Sequence, residues 1–266
     1  MSTKVYDVIV IGGGAGGMSA ALGAIQNGAK DVVLFERGSD LGGLLLQCIH
    51  NGFGLHHFKE ELTGPGYAER LKNQVLDTDV EVKMKSVVTK VTTEKEVHYI
   101  NEKEGYQVVK GKTIVFTSGS RERNRHHIDL PGRRLTGVMT AGQAQQMMNI
   151  DGYMVGKTVF ILGSGDIGLI MARRMTLEGA KVIGVAELMP YSNGLNRNIV
   201  QCLEDYEIPL YLSHTVTNIF GKDRLERIEL TQVNEKFQPI PGTEKYFDVD
   251  TLLLSVGLTP ENKSID

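Results

Sequence analysis

The chain has 266 residues, enough for one large domain or two of ordinary size, each with its own core. A composition of 41% hydrophobic and 23% charged residues with net charge −3 is that of a globular protein, and gives no basic field for nucleic acid or an anionic membrane surface. No apolar run approaches a membrane span, and the two cysteines stand far apart outside any CxxC, so neither a disulfide framework nor a zinc site is expected, and a cytoplasmic location is.

The N-terminal run VYDVIVIGGG has too few apolar residues before its glycines for a signal sequence. It reads instead as a strand, Val8 to Ile11, running into a glycine turn, followed by a helical pattern from Gly17 to Gly28 and a second β-rich run, Val32 to Phe35, that ends in Glu36. Strand, GxGxxG, helix, strand and acid in this order form the dinucleotide-binding fingerprint. Gly12 permits the tight turn, Gly14 lets the backbone approach a pyrophosphate, and Gly17 lets helix and strand pack closely. The helix start at Ala15 and Gly16 offers unpaired N–H groups to phosphate. Glu36 would accept hydrogen bonds from the adenosine ribose.

Residues 38 to 76 form an insertion that contains GGLLLQCIHNGFG, Gly42 to Gly54. Cys48 there has three readings: a buried core cysteine, a reactive thiol whose pKa His50 lowers, or a metal ligand with His50, His56 and His57, although that spacing matches no familiar zinc pattern. Beyond it, VEVKMKSVVTKV from Val80 alternates like strands, and TIVFTSG from Thr113 is an apolar strand closed by Gly119. Residues 121 to 157 read as a connection.

The chain then repeats itself. At an offset of 151 residues VFILGSGDIGLIMARRMTLEGAKVIGVAE overlies VIVIGGGAGGMSAALGAIQNGAKDVVLFE, so that Gly12 meets Gly163, Gly14 meets Gly165, Gly17 meets Gly168 and Glu36 meets Glu187. The second fingerprint runs from strand Thr158–Leu162 through Gly165, Asp166, Ile167 and Gly168 to strand Val182–Ala186. Glu187 would repel a 2′-phosphate, and no Arg or Lys follows it until Arg197, so this site is expected to prefer NAD(H) over NADP(H). IPLYLSHTVTNI from Ile208 matches the first alternating group, and TLLLSVG, closed by Gly257, matches TIVFTSG. Cys202 sits on an apolar helical face and reads as structural. The fold expected is α/β: two Rossmann-like, three-layer units, each a parallel sheet with an added antiparallel meander, the second inserted in the first.

The two fingerprints, ERGSDLGG after the first acid, TSGSRER, and the terminal LLLSVGLTPEN resemble the two-dinucleotide flavoproteins of the pyridine nucleotide-disulfide oxidoreductase superfamily. More narrowly, LGGLLLQCIHNGFGLHHFKEELTGPGYAERL and ELMPYSNGLNRNIVQCLEDYEIPLYL resemble bacterial FAD-dependent oxidoreductases associated with glycerol 3-phosphate dehydrogenase. The resemblance implies an FAD-binding domain at 1–120, an NAD-binding domain at 121–256 and a return segment at 257–266. It implies that Gly12, Gly14, Ala15, Gly16, Gly17, Glu36, Arg37, Gly42, Gly43 and Gly119 hold FAD. Gly163, Gly165, Asp166, Ile167, Gly168, Glu187 and Gly257 would hold NAD(H), with Asp166 near the nicotinamide or, equally, an exposed loop residue.

The activity implied is hydride transfer between NAD(H) and FAD, with a small-molecule or protein electron acceptor, in a subunit that works beside a dehydrogenase of glycerol 3-phosphate type and is oligomeric at full length. Two alternatives stand beside it: a single-cysteine NADH oxidase or disulfide reductase with Cys48 as catalytic thiol, and a nucleotide-binding subunit without turnover. The family's paired thiols are absent, and so is its closing strand with Gly-Asp after Gly257. An incomplete C-terminus and weak retention of FAD are therefore expected.

Overall fold

The computed structural model describes residues 4–262, so the last part of the return segment expected at 257–266 lies outside the described residues. The chain divides into two units, one running to Ser120 and resuming at Pro260, the other spanning Arg121–Thr259. Among the described residues no helix is long and apolar enough to cross a membrane.

The first unit is built on β1 (Val5–Ile11), α1 (Ala15–Gln26), β2 (Val32–Phe35), α2 (Gly64–Leu76), β3 (Glu81–Lys83), β4 (Ser86–Val91), β5 (Glu96–Asn101) and β6 (Gly105–Phe116). They make one six-stranded sheet in the order β3-β2-β1-β6-β5-β4. β1 pairs in parallel with β2 and with the end of β6, whereas β4, β5 and the start of β6 form an antiparallel meander. Successive side chains of a strand point to opposite faces, and the core divides accordingly. Val10, Val32 and Leu34 pack with Met18, Ala21, Leu71 and Val75 of the helices, while Ile9, Ile11, Val33 and Phe35 pack with Val91, Val97, Tyr99 and Val109 of the meander.

The second unit repeats this scheme. Its elements are β7 (Val138–Thr140), α3 (Ala141–Asn149), β8 (Thr158–Leu162), α4 (Asp166–Leu177), β9 (Lys181–Glu187), α5 (Asn196–Cys202), β10 (Leu210–Leu212), β11 (His214–Gly221), β12 (Leu225–Gln232), β13 (Lys245–Asp248) and β14 (Thr251–Leu254). Five strands form a parallel sheet, β7-β14-β8-β9-β10, and β11-β12-β13 form a separate antiparallel sheet. Val159, Ile161 and Val185 meet the helices, whereas Phe160, Leu162, Leu252 and Leu254 meet Val216, Ile219, Ile228 and Leu230 of the meander. The long alternating runs of the two halves break at matching places, Lys85 and Ser213, both with positive φ (51° and 54°), where the parallel edge strand turns into the meander.

The stretch 121–157, expected as a connection, contributes β7 and α3 to the second unit. Its three-residue strand is too short to show a period, and it is held by parallel pairing with β14.

Asp7 ties three parts of the first unit together. Its carboxylate accepts from the N–H groups of Lys30 (2.9 Å) and Asp31 (3.1 Å) and pairs with Lys112 Nζ at 2.6 Å. The Lys112 ammonium, and then the two N–H groups, hold its pKa well below the usual carboxylate range. A pKa depressed on folding adds stability that is present above the unfolded value, about 3.9, and is lost as pH falls through the folded one. Asp7→Asn is expected to lower stability to denaturant at neutral pH, with the gap from wild type closing progressively below about pH 4; a gap independent of pH would refute the linkage.

Candidate functional site

Each unit carries one glycine turn, and the backbone around it is the same. In the first, Gly12 N–H donates to Phe35 O (2.9 Å) at φ +107°, and Thr117 Oγ1 donates to the carbonyls of Ile11 and Gly12 at 2.9 Å. In the second, Gly163 N–H donates to Ala186 O (2.7 Å) at φ +105°, and Ser255 N–H donates to Leu162 O (2.7 Å). A Cβ on Gly17 would collide with the carbonyl oxygen of Gly12, and one on Gly168 with that of Gly163, so at both places the helix crosses its strand at backbone contact. A Cβ on Gly14 would meet nothing within 4 Å, and one on Gly165 only Ser255 Oγ at 4.0 Å, so space stands open above both turns.

The helix starts differ in a way that bears on ligands. α2 and α3 are capped by Thr63 and Thr140, whose side chains accept from Gly66 N–H and Gln143 N–H. α1 and α4 begin at Gly14 and Gly165 with no side-chain cap. The first-turn N–H groups of a helix lack intrahelical acceptors and carry partial positive charge, and at these two starts the N-cap residue supplies no side-chain acceptor for them.

The two acids organise the turns from within. Glu36 accepts from Gly13 N–H (2.7 Å) and Gly38 N–H (2.6 Å). Glu187, buried at 6% exposure, accepts from Ser164 N–H (3.0 Å), Ser164 Oγ (2.7 Å) and Met189 N–H (3.0 Å). The sequence reading gave both acids to the ribose alone; the structure adds that each fastens the glycine turn to the chain leaving the following strand.

Around the first turn, Gly42 N–H donates to Gly13 O (2.9 Å), and a Cβ on Gly43 would lie 3.2 Å from Gly14 Cα, so this pair rests directly on the turn. Ala15 is half-buried, whereas Gly16, Arg37 and Gly119 are exposed.

In the second unit a cleft of about 190 Å³ opens at the start of α4, lined by Glu122, Gly165, Asp166, Ile167, Ser255, Gly257 and Leu258. Asp166 is not the exposed loop residue that one reading allowed. It is half-buried, and its Oδ1 accepts from Leu195 N–H and Asn198 Nδ2, both at 2.8 Å, pinning the segment before α5 to the turn.

Cys48 closes the short 3-10 turn Gly43–Gln47 in the first unit and is half-buried. Burial pushes its thiol pKa up, the opposite of the activation by His50 that a reactive thiol would need. His50 Nδ1 lies 3.0 Å from its neighbour's carbonyl, Asn51 O, and His57 packs in a ring cluster with Phe58 and Tyr67. Among the described residues no three His, Cys, Asp or Glu side chains gather as a metal would require. Cys202 is buried in the helix-side core.

Sequence reasoning missed Thr117, Ser255, Ser164 and Glu122. The first two occupy matching places in TIVFTSG and TLLLSVG, a signal that was present. Glu122 lies within TSGSRER, but nothing in that run marks its contact with Gly142.

A model of the family described as pyridine nucleotide-disulphide oxidoreductase matches residues 6–266. The hydrogen cyanide synthase subunit HcnB of Pseudomonas protegens is 22% identical over 96% of this chain and 57% of its own length; NADH dehydrogenase of Bacillus subtilis is 26% identical over 98% and 48%. The chain thus spans about half the length of the curated relatives it matches. Among solved structures, thioredoxin reductase of T. acidophilum superposes with a TM-score of 0.76 at 22% identity, covering 98% of this chain and 80% of that one, which establishes the fold as two Rossmann-like α/β units. The chain belongs to the pyridine nucleotide-disulphide oxidoreductase family.

Proposed function

We propose that the chain is an FAD-dependent oxidoreductase that transfers hydride between NAD(H) and flavin, with FAD held by the first unit and NAD(H) by the second. The observation that carries this is the pair of uncapped, glycine-opened helix starts, each with open space above its second glycine and a carboxylate ending the next strand. The residues fit two dinucleotides: N–H groups of Ala15, Gly16 and Gly17, and of Asp166, Ile167 and Gly168, for the pyrophosphates, and Glu36 and Glu187 for the adenosine riboses. Gly42 and Gly43, lying on the first turn, would run along the flavin's phosphate side, and Gly119 and Gly257 close the corresponding strands.

When bound, the nicotinamide and the flavin supply the hydride chemistry; the chain's part is to bind, orient and shield them. Glu187 favours NAD(H), because its carboxylate would lie against a 2′-phosphate with no cation nearby in sequence to offset it. The electron acceptor is a small molecule or a protein, and a subunit beside a dehydrogenase of glycerol 3-phosphate type is the arrangement proposed. A relative named as a synthase subunit supports a multi-subunit setting.

Anaerobic titration of the FAD-loaded protein with NADH tests the reading: the yellow flavin absorbance is expected to be lost near equivalence. NADH that binds without that loss would favour a nucleotide-binding subunit without turnover. Cys48→Ser is expected to leave NADH turnover with an artificial acceptor within about twofold of wild type, since burial pushes the thiol pKa up, away from an activated thiolate. Loss of oxygen or disulfide reduction in that variant would restore the single-thiol chemistry.

A further inference from the structure

The geometry points to Glu122 as the group that recognises the nicotinamide carboxamide in the second unit, an inference that rests on the NAD(H) reading of that unit. The sheet order fixes which half of a dinucleotide lies where. With its pyrophosphate at the start of α4 and its adenosine ribose at Glu187, the end of β9, the adenosine half lies on the β9 side of β8. The nicotinamide half then extends to the other side, over the ends of β14 and β7. There Ser255, Gly257 and Leu258 line the cleft, and Glu122 is the carboxylate lining it beyond Asp166.

Glu122 is held in that position from two directions. Its own segment is fixed beside the cleft by Arg123 N–H, which donates to Gly257 O at 2.9 Å. Its carboxylate is drawn to the start of α3, where both oxygens accept from Gly142 N–H at 2.8 and 3.0 Å. Glycine at 142 makes this approach possible, because a Cβ there would meet Glu122 Oε2 at 2.7 Å. An ionised carboxylate accepts at about four lone-pair sites, so it can serve the helix and a ligand together. Asp166, the other carboxylate of the cleft, is the first residue of α4, at the pyrophosphate end, and its Oδ1 holds Leu195 and Asn198. A carboxylate acts only as an acceptor, and the part of a nicotinamide able to donate to it is the carboxamide NH₂.

The test uses the FAD-loaded full chain and three ligands: NADH, reduced 3-acetylpyridine adenine dinucleotide, which replaces the NH₂ by a methyl group, and ADP-ribose, which lacks the ring. Wild type is expected to bind NADH about tenfold more tightly than the acetylpyridine analogue, the scale of one hydrogen bond to a charged group. Glu122→Ala is expected to bring that preference close to unity and leave ADP-ribose affinity unchanged. Glu122→Gln, which keeps an acceptor for Gly142 N–H and hence the start of α3, is expected to lower the preference without unfolding.

An unchanged NADH-to-analogue preference in both variants, with ADP-ribose still bound, would overturn the role of Glu122 alone. Equal loss of all three ligands would reduce Glu122 to a structural strut and overturn it as well. Failure of wild type to bind ADP-ribose would instead overturn the NAD(H) reading, and the proposal with it.

Discussion

Gly168→Ala is expected to weaken NADH binding about 100-fold, the loss of one or two charge-assisted hydrogen bonds from the start of α4, while FAD binding stays at the wild-type level. The added methyl would collide with Gly163 O and approach Ser255 Cβ to 3.1 Å. Both neighbours belong to packed backbone or to a strand end and cannot turn aside as the tip of a flexible side chain would, so α4 must move away from β8. Overpacking of this kind costs about 1–3 kcal/mol in stability. Gly17→Ala meets the same obstacle against Gly12 O and Thr117 Oγ1 and should reverse the pattern, losing FAD and keeping NADH. Gly23→Ala is the control, since nothing lies within 4 Å of its Cβ and alanine within a helix is favoured over glycine by about 1 kcal/mol. Equal effects of Gly168→Ala and Gly17→Ala on both ligands would refute the assignment of one dinucleotide to each unit.

Glu187→Ala is expected to destabilise the second unit by about 2–4 kcal/mol in chemical denaturation, and Glu187→Gln to shrink the NADH-to-NADPH preference about tenfold. Three donors, Ser164 N–H, Ser164 Oγ and Met189 N–H, converge on this buried carboxylate. Removing the acceptor strands them at about 1–3 kcal/mol each, less what entering water recovers. Glutamine keeps the volume but removes the charge that a 2′-phosphate would face. An unchanged preference between the two nucleotides in Glu187→Gln would mean that selectivity is set elsewhere. Full stability of Glu187→Ala would mean that the acid does not hold the turn.

The nucleotide-binding framework was legible because its determinants are local. Each glycine turn, its strand and its acid lie within one short segment, and the offset of 151 residues exposes the pattern twice. Strand Thr158–Leu162 emerges with the bounds its apolar run implies. What stayed hidden depends on pairings that no motif in the sequence marks. β7 is three residues long and exists through β14. The attachment of Asp166 to Leu195 and Asn198, and of Glu122 to Gly142, joins helix starts to segments that no spacing rule connects. The two acids were assigned correctly to strand ends, yet their hydrogen bonds to the turns could not be read from composition or period, because the acceptor role toward Gly13 and Ser164 appears only once the turn has folded back.

The meanders of the two units are joined to their parallel sheets differently. In the first, β6 is one unbroken strand of 12 residues that belongs to both parts. In the second the same path is cut at Val249-Asp250, and Asp250 turns its carboxylate to Lys157 N–H (3.0 Å), Thr158 N–H (3.3 Å) and Thr251 Oγ1 (2.9 Å). A distortion of the first meander is therefore transmitted along a continuous hydrogen-bonded strand into the sheet below its glycine turn. In the second no strand is common to both sheets, and the break is held at Asp250. The hairpin between β12 and β13, residues 233–244, thus belongs to a sheet that shares no strand with the parallel one and meets it through side chains alone, Val216, Ile219, Ile228 and Leu230 against Phe160, Leu162, Leu252 and Leu254.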